Sequence, residues 1–109
     1  MDSRESAAAA CLEALDTDLF KALAEPARVA ILRALILGGR MDVGTLALQV
    51  PQDRSVVARH LQFLERAKLL RSATEGRHTF YEINGRGVVQ QLESLVALFR
   101  SLAPLCCPT

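Results

Sequence analysis

The sequence predicts a mainly α domain carrying one small β-hairpin. Three observations lead there. Apolar residues recur at spacings of three and four in several stretches, set apart by Pro, Gly and capping residues. Only residues 71–83 alternate in the manner of a strand pair. A short helix, a turn of about four residues and a longer amphipathic helix come directly before that hairpin.

Residues 3–14 are Ala-rich and read as a helix containing Cys11. Leu12, Leu15 and Leu19 continue its spacing, and Asp16 is placed to cap a second helix over 17–24. Pro26 suits the first position of a third helix, ARVAILRALIL, which Gly38 and Gly39 end. Val29, Ile31, Leu32, Leu35 and Ile36 are expected to make it the central core element, with Arg28 and Arg33 outside. Asp42 can cap a fourth, short helix over 43–49, which Gly44 weakens.

Residues 51–70, PQDRSVVARHLQFLERAKLL, organise the rest. Asp53 stands as N-cap of a helix beginning at Arg54, without a capping box because Val56 lies three positions on. At about 100° per residue, Arg54, Ser55, Ala58, Arg59, Gln62, Glu65 and Arg66 share one arc. Val56, Val57, Leu61, Phe63, Leu64 and Ala67 share the other with His60, which is expected to be a packed, hydrogen-bonded core histidine. Arg54, Ser55 and Arg59 surround small Ala58 at the N-terminal end, with Gln52 just before and Gln62 one turn on. Such groups suit base edges in a major groove, where Arg pairs bidentately with guanine. Alone, the face would equally suit an ordinary solvated helix.

The hairpin decides between these. Glu75-Gly76 reads as its turn, Thr79, Tyr81 and Ile83 alternate with His78, Phe80 and Glu82, and Arg77 at the tip would reach a phosphate or the minor groove. A hairpin after a helix-turn-helix is a wing, so the prediction is a winged helix-turn-helix. Val88, Leu92, Leu95, Phe99 and Leu102 then form a helical seam until Pro104, widened by Val89 and Val96. This stripe exceeds what one small core needs, which predicts a homodimer joined through Leu12, Leu15, Leu92, Leu95 and Phe99. The chain 1–109 is thus one domain: dimerisation helices in 1–15 and 86–103, helix-turn-helix in 43–67, wing in 70–83, and a Cys-containing tail in 104–109.

Composition agrees. Half of the 109 residues are hydrophobic and only 5% aromatic, as in a helical core of Ala, Leu and Val. The net charge of +1 gives no global nucleic-acid signal. Residues 51–80 nevertheless hold six Lys and Arg against three acids, a local basic face compatible with double-stranded DNA. No secretory signal or membrane span is visible, and three cysteines without framework spacing point to a reducing cytosol. No Gly-rich phosphate loop, paired carboxylates or nucleophile–base pattern suggests an enzyme. The alternative class is a protein-binding winged helix without a DNA role.

At this point the chain resembles the ArsR/SmtB family of metal-responsive winged-helix repressors over roughly residues 17–100. The resemblance rests on LFKALAEPARVAIL from Leu19 to Leu32, SVVARHLQFLERA from Ser55 to Ala67, and Glu75-Gly76-Arg77 followed by Tyr81. It implies a homodimer that sits on an operator as a repressor and leaves when a metal ion or metalloid binds. The Cys-x-Cys pair common in the arsenic-sensing branch aligns with Asp42 and Gly44 and is missing. The last helix offers Glu93 but no His, so a zinc site of the family's kind is not expected there. Lys68 stands where the family usually has Gly after the recognition helix, in a position that tends to be left-handed, at a cost of about 1 kcal/mol.

All the thiols lie near the chain ends. Cys106 and Cys107 are adjacent, poor partners for a mutual disulfide but suited to one large soft centre. With Cys11 they supply the three sulfurs that trivalent arsenic or antimony prefers, within one chain or between two. Hg, Cd or Pb binding and oxidant sensing are the alternative signals. Cys11 would otherwise be a small buried hydrophobe.

Overall fold

The computed structural model describes residues 3–106, with side chains through Leu105. Six helices and three strands follow in the order α1 (Ser3–Leu15), α2 (Asp18–Leu23), α3 (Pro26–Gly38), β1 (Met41–Asp42), α4 (Val43–Ala47), α5 (Arg54–Arg66), β2 (Leu70–Glu75), β3 (His78–Ile83) and α6 (Gly85–Cys106). The predicted winged helix-turn-helix is present, with α4 and α5 as the helix-turn-helix and β2–β3 as the wing.

Local signals explain most boundaries. The Glu25 carboxylate accepts from Ala27 N at 3.3 Å at the start of α3, and Pro26 needs no donor there. Gly39, at φ +78°, ends the helix. Asp42 caps α4, its Oδ1 accepting from Thr45 N at 2.8 Å. The end of α5 is a Schellman motif: Leu69 N donates to Leu64 O at 3.0 Å and Lys68 N to Glu65 O at 2.9 Å. Lys68 occupies the left-handed position at φ +63°, as the resemblance implied.

The core gathers α2, α3, α4, α5 and the sheet around Ile31, Leu35, Leu46, Val57, Leu61 and Leu64, all fully buried. Tyr81 closes it from β3. The sheet order is β1-β3-β2, antiparallel throughout, with Met41 opposite Tyr81 and Leu70 opposite Ile83.

Several expectations are corrected. β1 has no signal in the sequence: two residues carry no periodicity, and it exists only by pairing with β3. The wing turn is Gly76-Arg77 rather than Glu75-Gly76, because Glu75 pairs with His78 and Gly76, at φ +62°, takes the first central position of the turn. Thr17, not Asp16, is the N-cap of α2, and Asp16 instead pairs with Lys21 at 3.5 Å. Asp53 occupies the N-cap of α5 without a side-chain capping bond. Val29 and Ile36 are exposed rather than central to the core, leaving Ile31 and Leu35 as the inward pair of α3. Arg28 is not free on the outer side. Its Nε donates to Ala22 O at 3.2 Å and its Nη2 to Lys21 O at 2.7 Å, while the guanidinium lies 4.4 Å from the Phe63 ring centre. α6 does not stop before Pro104 but runs on to Cys106. So close to the helix end, a missing N–H and a lost bond are tolerated.

Helices α1 and α6 pack against one another and form an arm beside this body. The molecule measures 54 × 23 × 23 Å with a radius of gyration of 17.2 Å. A compact chain of this length would have about 13 Å. Among the described residues no helix is long and apolar enough to cross a membrane.

Candidate nucleic-acid interface

The α5 periodicity places its side chains as the sequence predicts. Val57, Leu61 and Leu64 are buried, whereas Arg54, Ser55, Arg59 and Gln62 are exposed along one edge, with Ala58 half-buried between them. Arg54, Arg59 and Arg77 make no ion pair or hydrogen bond among the described residues, so their charges face solvent. Arg77 sits at the exposed wing tip. Gln52 is half-buried in the turn before α5, its Oε1 enclosed and without a partner. It is therefore turned partly inward, away from the exposed edge its neighbours form.

The acids of the wing, of the α4 cap and of the end of α5 are engaged, a feature that spacing alone could not reveal. Arg40 pairs with Glu75 at 2.6 Å and lies 4.1 Å from the Phe80 ring centre. Arg71 pairs with Glu82 at 2.8 Å across β2 and β3. Ser72 Oγ donates to Glu65 Oε2 at 2.6 Å, tying the wing to the end of α5. His78 Nδ1 lies 3.2 Å from Asp42 Oδ2, tying the wing to the cap of α4. Hydrogen bonding to Thr45, helped by the His78 charge, outweighs burial and holds the Asp42 carboxyl below the usual carboxylate range. Two of these links, Ser72–Glu65 and His78–Asp42, join the wing to the end of α5 and to the cap of α4. A protruding helix with a basic N-terminal edge and a basic wing tip match the groove and backbone of duplex DNA.

His60 is half-buried on α5, and burial, reinforced by Arg28 and Arg59, lowers its pKa below the ordinary histidine value. It is packed as expected, but no hydrogen bond to it is present among the described residues.

The thiols are less concentrated than the sequence suggested. Cys11 is buried, its Sγ within 3.5 Å of Leu98 O on α6. Cys106 ends α6 eight residues beyond Leu98, about 12 Å along the axis. Cys107 lies outside the described residues, and so does the side chain of Cys106. No group of three metal-ligating side chains exists among the described residues.

Of the anticipated dimer residues, Leu12, Leu15, Leu92 and Phe99 are exposed on the arm. Leu95 is not: it packs against the core of its own chain, because α6 turns that side toward the body. Val89 and Val96 are exposed beside Leu92 and Phe99 and take its place in the stripe.

No protein-family profile matches the chain. Two curated relatives do. An uncharacterised helix-turn-helix transcriptional regulator of Methanocaldococcus jannaschii is 30% identical over 66 residues, 61% of this chain and 74% of the relative. The transcriptional activator HlyU of Vibrio cholerae is 30% identical over 81 residues, 74% of each chain. Among solved structures, an ArsR family transcriptional regulator superposes with a TM-score of 0.66 at 29% identity, over 83% of this chain and 90% of that one. The AntR antimony-specific transcriptional repressor gives 0.58 at 30% identity over 76% of each chain. The homodimeric winged helix-turn-helix DNA-binding domain of a possible ArsR-family regulator from Mycobacterium bovis gives 0.63 at 29% identity, over 84% of this chain and 82% of that one. These relatives are transcriptional regulators rather than enzymes. The chain belongs to the ArsR family of winged-helix transcriptional regulators.

Proposed function

We propose that this chain is a homodimeric repressor that binds operator DNA and releases it when trivalent arsenic or antimony binds its cysteines. The observation that carries the DNA reading is the unpaired basic edge of α5, with Arg77 held in line by the anchored wing. Arg54, Ser55, Arg59 and Gln62, around Ala58, enter the major groove, and Arg77 takes a phosphate or the minor groove. Gln52 supports the turn and contacts DNA only if its amide swings out.

The dimer reading rests on the arm. Leu92, Val96 and Phe99 are exposed by 48%, 48% and 41%, and Leu12 by 66%, on helices that project from the body. A second copy covers this stripe and places two α5 helices about 34 Å apart, one per successive major groove. The homodimeric relative supports the same assembly.

The effector reading rests on thiol chemistry and on similarity to an antimony-specific repressor. In a reducing cytosol Cys106 and Cys107 supply two sulfurs to one soft trivalent centre. Cys11 joins them only if α1 leaves its groove under α6, or if the second subunit provides it, because within one chain it sits level with Leu98. Either way the ion rearranges the α1–α6 pair and with it the spacing of the two reading heads. Coupling of about 1–3 kcal/mol is typical of such a switch.

The test is a fluorescence-polarisation titration of the reduced protein on a promoter fragment from its own locus. It is repeated with arsenite, antimonite, Hg(II), Zn(II) and peroxide, and with Cys11→Ser and Cys106→Ser/Cys107→Ser. The proposal expects arsenite or antimonite alone to weaken binding and both variants to stay on the DNA. Variants that respond like the wild type would remove the cysteines from the mechanism. Absence of salt-dependent duplex binding would remove the DNA reading itself.

A further inference from the structure

Lys68 carries a positive φ, at +63°, as the left-handed residue of the motif that ends α5. Its carbonyl is pressed against α6: a Cβ at Gly87 would lie 2.5 Å from Lys68 O. Gln91 Nε2 donates to Ala67 O at 3.0 Å and to Gly87 O at 3.2 Å, clamping the same junction. Lys68 is thus fixed where the recognition helix ends and the arm begins. Its exposed side chain makes no ion pair or hydrogen bond among the described residues.

Lys68 is one of the residues lining an open cleft of about 570 Å³ between α1, α6 and the end of α5. The apolar part of the wall includes Leu19, Leu95 and Leu98, and the polar part includes Gln90 and Ser94. The volume falls within the range of about 300–1,000 Å³ usual for small-molecule sites. On α6, Gln90, Ser94 and Leu98 stand two positions from Leu92 and Val96, about 200° around the helix, while Leu95 lies nearer the interface proposed above and is half-buried against the core.

We infer that this cleft binds a small organic monocarboxylate. The carboxylate pairs with the Lys68 ammonium, and an aliphatic or aromatic body lies against Leu19, Leu95 and Leu98. One lysine and no arginine fork favours a single negative charge over a phosphate with two. Glu13, the one acid of the lining, is exposed on the α1 side and weakens the site without abolishing it. A bound carboxylate bridges arm and recognition helix, so this is an effector site distinct from the thiols.

The experiment is amide NMR of the reduced full chain titrated with benzoate and hexanoate, and with benzamide and hexanamide as uncharged matches. It contains neither DNA nor metalloid, so failure here leaves the operator reading standing. Saturable shifts at Leu19, Leu95 and Leu98 are expected with the carboxylates alone. Lys68→Arg is expected to keep the binding. Lys68→Gly should lose at least about tenfold in affinity while melting at a higher temperature, because glycine accepts the left-handed backbone freely. Glu13→Gln should bind tighter. The inference is overturned if no carboxylate gives a saturable shift, if the amides match them, if Lys68→Gly binds as the wild type does, or if Glu13→Gln weakens binding.

Discussion

The body formed by α2 through β3 and the arm formed by α1 and α6 differ in that the body encloses a core, although Ile36, Leu37 and Leu48 stay exposed on it, whereas the arm buries little of its own apolar surface. In the body, Ile31, Leu46, Val57, Leu61 and Leu64 are all at 0% exposure. In the arm, Cys11 and Ala14 are buried, while Leu12, Leu15, Val89, Leu92, Val96 and Phe99 face outward. The body is also cross-linked by Arg40–Glu75, His78–Asp42 and Ser72–Glu65. The arm is held to it chiefly at the Lys68–Gly87–Gln91 junction and through Val88 and Leu95. The body therefore has the larger enclosed core, and the arm carries the exposed stripe that the proposed second copy would cover.

Breaking the arm should have the largest effect. Val96→Glu together with Phe99→Glu would place four acids in the proposed symmetric interface and should abolish the proposed dimer and its operator binding. Circular dichroism should still show a folded body, since neither side chain enters the core. Next comes the body itself: Leu61→Ala leaves a cavity at a fully buried position and should cost about 2–5 kcal/mol in urea unfolding. A loss below about 1 kcal/mol would mean the core is less closely packed than described.

Three substitutions on the basic edge and wing tip, and a pH dependence, have smaller effects. Arg54→Ala and Arg59→Ala should each weaken operator binding by about 1–3 kcal/mol, with relaxed base preference and unchanged stability. Arg77→Ala should weaken all duplexes alike and reduce the salt slope by about one. The smallest effect is a pH dependence. His60 has a folded pKa below its unfolded value of about 6.5, so the unfolded chain binds the proton more readily. The stability tied to its neutral form is full above that pH and is lost as pH falls through the folded value. Denaturant titrations at pH 7.5 and 5.5 should show this loss, and His60→Leu should reduce it.

Sequence spacing made the helices, the hairpin and the exposed edge of α5 legible, because each is a local pattern repeated several times. What it hid depends on non-local partners. Met41 and Asp42 form a strand only because Tyr81 and Phe80 present an open edge. Arg28 reads as a surface charge until the carbonyls of α2 and the Phe63 ring are found beside it. Leu95 shares a heptad seam with Leu92 and Phe99, yet a small rotation about α6 turns it inward. Cys11 and Cys106 both lie near chain ends, and only the antiparallel packing of α1 on α6 shows that they sit at different levels.

Sedimentation equilibrium of the reduced chain at micromolar concentration reads the proposed dimer itself. The account predicts a single species at twice the 11.9 kDa chain mass, converted to monomer by Val96→Glu/Phe99→Glu with the far-ultraviolet spectrum retained. A wild-type chain that sediments as a folded monomer would contradict it, because the exposed stripe of α6 would then have no partner in a second copy.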